Sequence, residues 1–203
     1  MIAIVDYGVG NLFSLVSSLR AIGADVVVTG EKSILRRADK IILPGVGAFR
    51  DAVEKLRESG LDKEVLQAAA EGKPVLGICL GMQMLFEKSY EYGEYEGRGL
   101  IKGNVRPIAD VIDEGLKIPH IGWNALHFTK QSKLFRYLSQ GDHVYFVHSY
   151  YATDCEESVL ATAEYSVPLT AAVGHGNVYG CQFHPEKSGS VGLKILQAFV
   201  ELA

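Results

Sequence analysis

Lys73-Pro74-Val75-Leu76-Gly77-Ile78-Cys79-Leu80-Gly81-Met82-Gln83 is the stretch from which fold and chemistry are both read. Residues 75–78 are apolar throughout, the pattern of a strand covered on both faces, and residues 80–88 read as a helix. The junction, Gly77-Ile78-Cys79-Leu80-Gly81, has the form G-x-nucleophile-x-G, a sharp strand-to-helix turn that lifts one side chain clear of a sheet. The helix N-terminus behind Cys79 favours a thiolate and offers the Leu80 N–H to a developing oxyanion. A lone cysteine is commonly a packed core residue, so this junction by itself leaves a structural and a catalytic reading open.

The same alternation extends toward the N-terminus. Residues 2–5 form an apolar strand, followed by a turn at Gly8 and Gly10 and a helix over 11–21, with Asn11 as N-cap and Gly23 as the C-terminal stop. Strands at 24–28 and 41–43, the turn Pro44-Gly45-Val46-Gly47, and helices over 48–58 and 61–71 lead back to Lys73. Strands lacking alternating polar residues, joined through helices, predict an α/β fold: an open, mostly parallel sheet with helices on both faces. Residues 90–103, rich in Gly, Glu and Tyr, read as an exposed connection. Beyond them the texture changes to additional strands, at 104–108, 122–128, 143–152, 159–165, 171–174 and 177–183. Gly174-His175-Gly176-Asn177 makes a hairpin turn, and a helix over 190–202 closes the chain. There is no repeat, low-complexity tract or linker, so residues 1–203 are expected to form a single domain.

A second motif, His184-Pro185-Glu186, follows the strand expected at 177–183. Ligands of open parallel sheets bind at strand ends, where Cys79 also lies. A thiol of ordinary pKa, about 8.5, needs a base at neutral pH, and an imidazole needs a carboxylate on its other nitrogen to fix its tautomer. His184 and Glu186 supply both, with Pro185 restricting the bend between them. The loop Leu43-Pro44-Gly45-Val46-Gly47-Ala48-Phe49 also joins a strand end to a helix. Its glycines allow a backbone N–H, that of Gly45 or Val46, to face a substrate carbonyl and complete an oxyanion hole with Leu80; a plain tight turn is the alternative. Gly8-Val9-Gly10 is set aside as a dinucleotide signal, because Phe13 occupies the sixth position of G-x-G-x-x-G/A.

Lys+Arg 20 against Asp+Glu 24, with no basic run, leaves no electrostatic footprint for nucleic acid or an anionic membrane. No apolar run reaches the ~18 residues of a spanning helix, and Met1 to Asn11 reads as a buried strand and turn rather than a signal peptide, so the cytoplasm is the expected address. Cys79, Cys155 and Cys181 are odd in number and lack CxxC spacing, which argues against disulfides and zinc. His120, His127, His143, His148 and His175 show no HxxxH pairing, and no metal or other cofactor is expected.

Gly77-Ile78-Cys79-Leu80-Gly81-Met82-Gln83 and His184-Pro185-Glu186 together resemble the nucleophile and base motifs of the class I, triad-type glutamine amidotransferases. Within that family, residues 43–49 and 119–124 and the run Val147-His148-Ser149-Tyr150 are most similar to the glutaminase subunits of imidazole glycerol phosphate synthase, in histidine biosynthesis. The resemblance covers essentially the whole chain and implies a flavodoxin-like fold. It also implies attack on the side-chain amide of glutamine by Cys79, a thioester, and release of glutamate and ammonia. Gly47, Gln83, Ser149 and Tyr150 would hold the substrate. A separate (β/α)8 cyclase subunit would form a heterodimer with the chain and consume the ammonia, with Trp123 and Asn124 near the interface. If the loop at 44–47 rests with the wrong peptide face toward the oxyanion, glutaminase activity would stay low until that partner binds its own substrate. Glutaminase subunits of pyridoxal phosphate or anthranilate synthases, a Cys peptidase or stress protein of the same sheet type, and a non-catalytic flavodoxin-like module are the competing readings.

Overall fold

Two apolar faces are written into the first strands. β1 (Ile2–Val5) turns Ile2 and Ile4 to one side and Ala3 and Val5 to the other, and all four are buried. In the computed structural model, which describes residues 1–202, these faces become two cores on opposite sides of one sheet. α1 (Leu12–Ala21) lays Leu15 and Leu19 on the Ile2 and Ile4 face. β2 (Val26–Thr29), α2 (Lys32–Arg37), β3 (Lys40–Leu43), α3 (Phe49–Ser59) and α4 (Leu61–Ala70) follow. Leu35, Val53, Leu56 and Val65 from these three helices cover the Ala3 and Val5 face. Fully burying each such side chain contributes about 1.5–3 kcal/mol, so the two helical layers fix which way every strand faces.

β4 (Val75–Ile78) leads into α5 (Leu80–Met84), and β5 (Lys88–Ser89), β6 (Tyr95–Glu96) and β7 (Asn104–Pro107) come next. The second half holds β8 (His120–Ala125), β9 (His127–Phe128), β10 (His143–His148), β11 (Tyr150–Thr153), β12 (Val159–Tyr165), β13 (Val167–His175), β14 (Val178–Cys181) and α6 (Gly189–Val200). The main sheet runs β2-β1-β3-β4-β14-β13-β12-β9. Its first five members are mutually parallel and the last three antiparallel. β14 therefore returns late in the chain to lie beside β4, with Cys181 opposite Ile78. A ribbon of β8 and β10 and a small sheet β11-β7-β5-β6 flank the C-terminal ends of the parallel strands.

The expected architecture is present, and several element boundaries differ. The helix expected over 80–88 stops at Met84: Leu85 and Phe86 close the turn with bonds to Met82 and Gln83, and Lys88–Ser89 is claimed by the flanking sheet. Residues 143–152 are two strands, broken at Ser149, because β10 pairs with β8 and β11 with β7 in a different sheet. α2 lies in a segment where no helix is expected. The connection at 90–103 is only partly exposed; it carries β6 and buries Ile101. Asn11 precedes α1 without capping it, its amide donating to the Ser14 hydroxyl at 3.2 Å. No helix among the described residues is long and apolar enough to cross a membrane.

Candidate active site

β4 and β14 end side by side, so the two motifs meet because of sheet register. The Cys79 N–H donates to the Cys181 carbonyl at 2.7 Å, carrying the pairing one residue past Ile78 and Cys181. Cys79 itself sits at φ 53, ψ −113, a conformation that costs an L-residue on the order of 1–3 kcal/mol and turns its side chain out of the sheet. The turn is possible because α5 lies directly on the sheet: a methyl on Gly77 would stand 2.7 Å from the Gly81 carbonyl and the Met82 amide. Cys79 keeps 9% of its surface exposed, facing a cavity.

His184 follows β14, in a turn tied down from three directions. Its N–H donates to the Tyr145 carbonyl at 3.0 Å, and its own carbonyl accepts from the Ser188 hydroxyl at 2.7 Å. The Ser188 oxygen in turn accepts from the Tyr145 N–H at 2.9 Å. The His184 ring is 3% exposed, and its Nδ1 lies 2.8 Å from Glu186 Oε1, which leaves Nε2 for the sulfur side. Burial alone pulls the His184 pKa down; hydrogen bonds and charge from Cys79 and Glu186 outweigh it and raise the pKa to about 9. Glu186 Oε2 is buried and has no partner among the described residues, so the carboxylate acts on the imidazole through one oxygen. A thiol, an imidazole and a carboxylate are thus brought together at one end of the sheet, the set that a thiol nucleophile with a base and an orienting group would need.

The cavity at these strand ends has a volume of about 420 Å³, within the range of small-molecule sites. Val46, Gly47, Leu80, Gln83, Ser149 and Tyr150 line it with Cys79 and His184, so the candidate oxyanion and substrate residues converge on Cys79. Gly45 is the exception: it lies beneath the wall, where a Cβ would meet the Gly81 nitrogen at 2.8 Å and the Leu80 Cβ and Tyr7 Oη at 3.0 Å. Its lack of a side chain lets the loop after β3 rest on the elbow, and Gly45→Ala is not a clean probe of loop motion. The Tyr7 hydroxyl donates to the Pro44 carbonyl at 2.7 Å, pinning one end of that loop. Trp123 is 54% exposed on β8 beside Ile121, while the Asn124 amide is tied inward to the Glu164 carbonyl at 2.7 Å.

Several cavity residues were not foreseen from the sequence. Glu91, from the connection after β5, lines the cavity and accepts from the Phe49 N–H at 2.7 Å; burial holds its pKa above the usual range. Lys187 and Tyr92 lie on the same wall. His148 is buried next to the cavity with its pKa pushed down by burial to about 4, and its ring pairs with His120 at 3.0 Å. Gln182, between Cys181 and His184, is 0% exposed with its amide nitrogen 3.8 Å from Cys79 Sγ. Among the described residues, no group of three or more His, Cys, Asp or Glu side chains is arranged to hold a metal ion.

The class-I glutamine amidotransferase family profile matches residues 3–202. The chain is 54% identical over 202 residues to the imidazole glycerol phosphate synthase subunit HisH of Bacillus licheniformis, covering 98% of this chain and 95% of that one. It is 50% identical to the subunit of the same name from Geobacillus thermodenitrificans, with the same shares covered. A crystal structure of a glutamine amidotransferase superposes with a TM-score of 0.77 at 22% identity, covering 99% of this chain and 98% of that one, which supports the likeness of fold. With its profile match spanning nearly every residue, the chain belongs to the class-I glutamine amidotransferase family.

Proposed function

We propose that the chain is the glutaminase subunit of an imidazole glycerol phosphate synthase, acting as a single glutamine amidotransferase domain. It hydrolyses glutamine to glutamate and ammonia and passes the ammonia to a separate (β/α)8 cyclase subunit, which makes imidazole glycerol phosphate and an aminoimidazole carboxamide ribotide. The observation that carries the chemistry is the convergence of the Cys79 elbow and the His184–Glu186 pair on one cavity. Near-full-length identity of about half to relatives named for this synthase supports the pathway.

In the reaction, the Cys79 sulfhydryl proton passes to His184 and the sulfur attacks the side-chain amide carbon of glutamine. The oxyanion is held by the Leu80 N–H and an N–H of the Val46 loop. Collapse breaks the C–N bond, and the His184 proton leaves with the nitrogen as ammonia, giving a thioester. Water, deprotonated by His184, attacks the thioester; the C–S bond breaks, the His184 proton returns to the Cys79 sulfur, and glutamate departs. Glutamine also brings an α-ammonium. Glu91 faces the cavity as its counter-charge. Glu91→Gln keeps an oxygen for the Phe49 N–H but removes the charge, so KM for glutamine is expected to rise about 10- to 100-fold with kcat within about threefold. Unchanged KM in steady-state ammonia release would remove Glu91 from substrate binding.

Trp123 and Ile121 are exposed on β8 and give the cyclase an apolar contact. Tyr7 holds Pro44 and Glu91 holds Phe49, so the peptides free to turn lie between Gly45 and Gly47, where Gly47 has φ +96 and open space around it. Turning of that segment couples partner occupancy to the oxyanion hole. Ammonia release by the chain alone, with the cyclase, and with the cyclase plus its nucleotide is expected to rise about tenfold or more at the last step. Release indifferent to that cyclase and nucleotide keeps the glutaminase chemistry and moves the chain to another synthase.

A further inference from the structure

Gln182 is a fully buried amide in an otherwise apolar run, Gly180-Cys181-Gln182-Phe183. Burying such a group without partners costs about 1–3 kcal/mol, so its hydrogen bonds decide why it is tolerated. Its backbone continues the sheet, with the N–H donating to the Ala171 carbonyl at 2.8 Å. Its side chain points the other way, between Gln83 and Cys79.

The orientation of that amide is set by a single carbonyl. The Tyr150 oxygen accepts from Gln83 Nε2 at 3.3 Å and lies 2.9 Å from His148 Nδ1. A carbonyl only accepts, so the Gln83 atom facing it is nitrogen and His148 Nδ1 carries a proton. The same Gln83 nitrogen lies 3.1 Å from the Gln182 side chain, which must therefore present its oxygen there. The remaining Gln182 atom is an NH2 group, and it faces Cys79 Sγ at 3.8 Å. His148 Nε2, left with a lone pair, accepts from His120 Nδ1 at 3.0 Å, and His120 Nε2 meets the Asn124 amide at 3.4 Å. Each donor along the chain from Asn124 to the sulfur meets an acceptor.

We propose that the Gln182 side-chain amide is a further catalytic group, donating an N–H to the Cys79 sulfur and stabilising its negative charge before attack on glutamine. The inference rests on the glutaminase reading of the same site. His184 takes the thiol proton; Gln182 cannot, since an amide N–H only donates, and it therefore favours the ionised sulfur without competing for the proton. The other ionisable groups around the sulfur are His184 after β14 and Tyr7 after β1, with Glu186 and His148 behind them and Glu91, Tyr92, Tyr150 and Lys187 lining the same cavity; the neutral thiol also donates to the Val147 carbonyl at 4.0 Å.

The test is alkylation of Cys79 by iodoacetamide in the full chain, with Cys79→Ala as the background for the buried Cys155 and Cys181. Gln182→Met keeps length and removes the donor; Gln182→Glu keeps shape and replaces the donor with a carboxylate. At neutral pH both variants are expected to react about 3- to 10-fold more slowly than wild type, because the hydrogen bond that favours the thiolate also lowers its nucleophilicity, and the difference is expected to close at alkaline pH. In complex with the cyclase, kcat falls by a similar factor while KM stays within about twofold. Wild-type rates at neutral pH, or an equal slowing at both pH values, would overturn the proposal. Alkylation that behaves as expected in a chain releasing no ammonia would sink the glutaminase reading and leave Gln182's hydrogen bond standing. Should neither variant fold, the side-chain amide resonance of Gln182 in wild type is expected to shift on Cys79→Ala, and an unmoved resonance overturns the proposal.

Discussion

Cys79→Ala is expected to lower ammonia release from glutamine by about 10⁴-fold or more, with or without the partner subunit, because in the proposed hydrolysis every step passes through the sulfur. His184 and the oxyanion donors remain in place in that variant, but without the thioester they act only on bound water. The same position has an unusual stability signature. At φ 53 a side chain is strained, and the surrounding elbow, with the Cys79 N–H bonded to Cys181 and α5 pressed on Gly77, does not let the strain relax. Cys79→Gly is therefore expected to be as inactive as Cys79→Ala yet more stable than it, reversing the usual order of these residues by about 1 kcal/mol, or about 2–4 °C in Tm for a chain of this size. Residual partner-stimulated glutaminase in either variant would displace Cys79 as nucleophile. A Cys79→Ala protein melting above Cys79→Gly would mean that the elbow carries no strain.

What could be read from the sequence was what is local. The elbow around Cys79 and the His184-Pro185-Glu186 turn are contiguous signals at strand ends, and the continuous apolar runs of β1, β3 and β4 announce a sheet covered on both faces. Gln182 was visible only as a polar residue in an apolar run; its partner depends on β14 lying beside β4, a pairing across about a hundred residues. His120 and His148 stand opposite each other only in the β8–β10 register, so a search for helical HxxxH spacing passes over them. The break at Ser149 has a similar origin, since alternation alone carries a strand through it. What stops the strand is the Tyr150 carbonyl, held by His148 and Gln83, and the capture of β11 by β7. Glu91 lies in a connection with no periodicity, and its place in the cavity is set by the Phe49 N–H.

Gly81→Ala shows how tightly that local motif depends on the rest of the fold. A methyl on Gly81 would stand 1.9 Å from the Leu43 carbonyl oxygen, 2.8 Å from its carbon and 3.1 Å from the Pro44 carbonyl carbon. All three atoms are backbone at the end of β3, so no side chain can swing aside; α5 and β3 must separate. That separation also lifts Gly45 from the elbow and moves the Val46 loop away from the sulfur. The expected loss is about 3 kcal/mol or more, a fall of roughly 6–12 °C in Tm, with ammonia release in the cyclase complex down about 100-fold because about 1 Å of misplacement costs that much. Gly47→Ala is the control on the same loop. Its methyl meets no heavy atom within 4 Å, and only the strain of φ +96 remains, on the order of 1–2 kcal/mol, so its Tm should fall by about 2–8 °C. A Gly81→Ala chain that melts with Gly47→Ala and keeps wild-type ammonia release would mean that the elbow and the oxyanion loop are not in contact. A fall in Tm clearly larger for Gly81→Ala than for Gly47→Ala, accompanied by the loss of release, ties the Cys79 turn to the loop after β3, which makes the second glycine of the motif a packing residue as well as a turn residue.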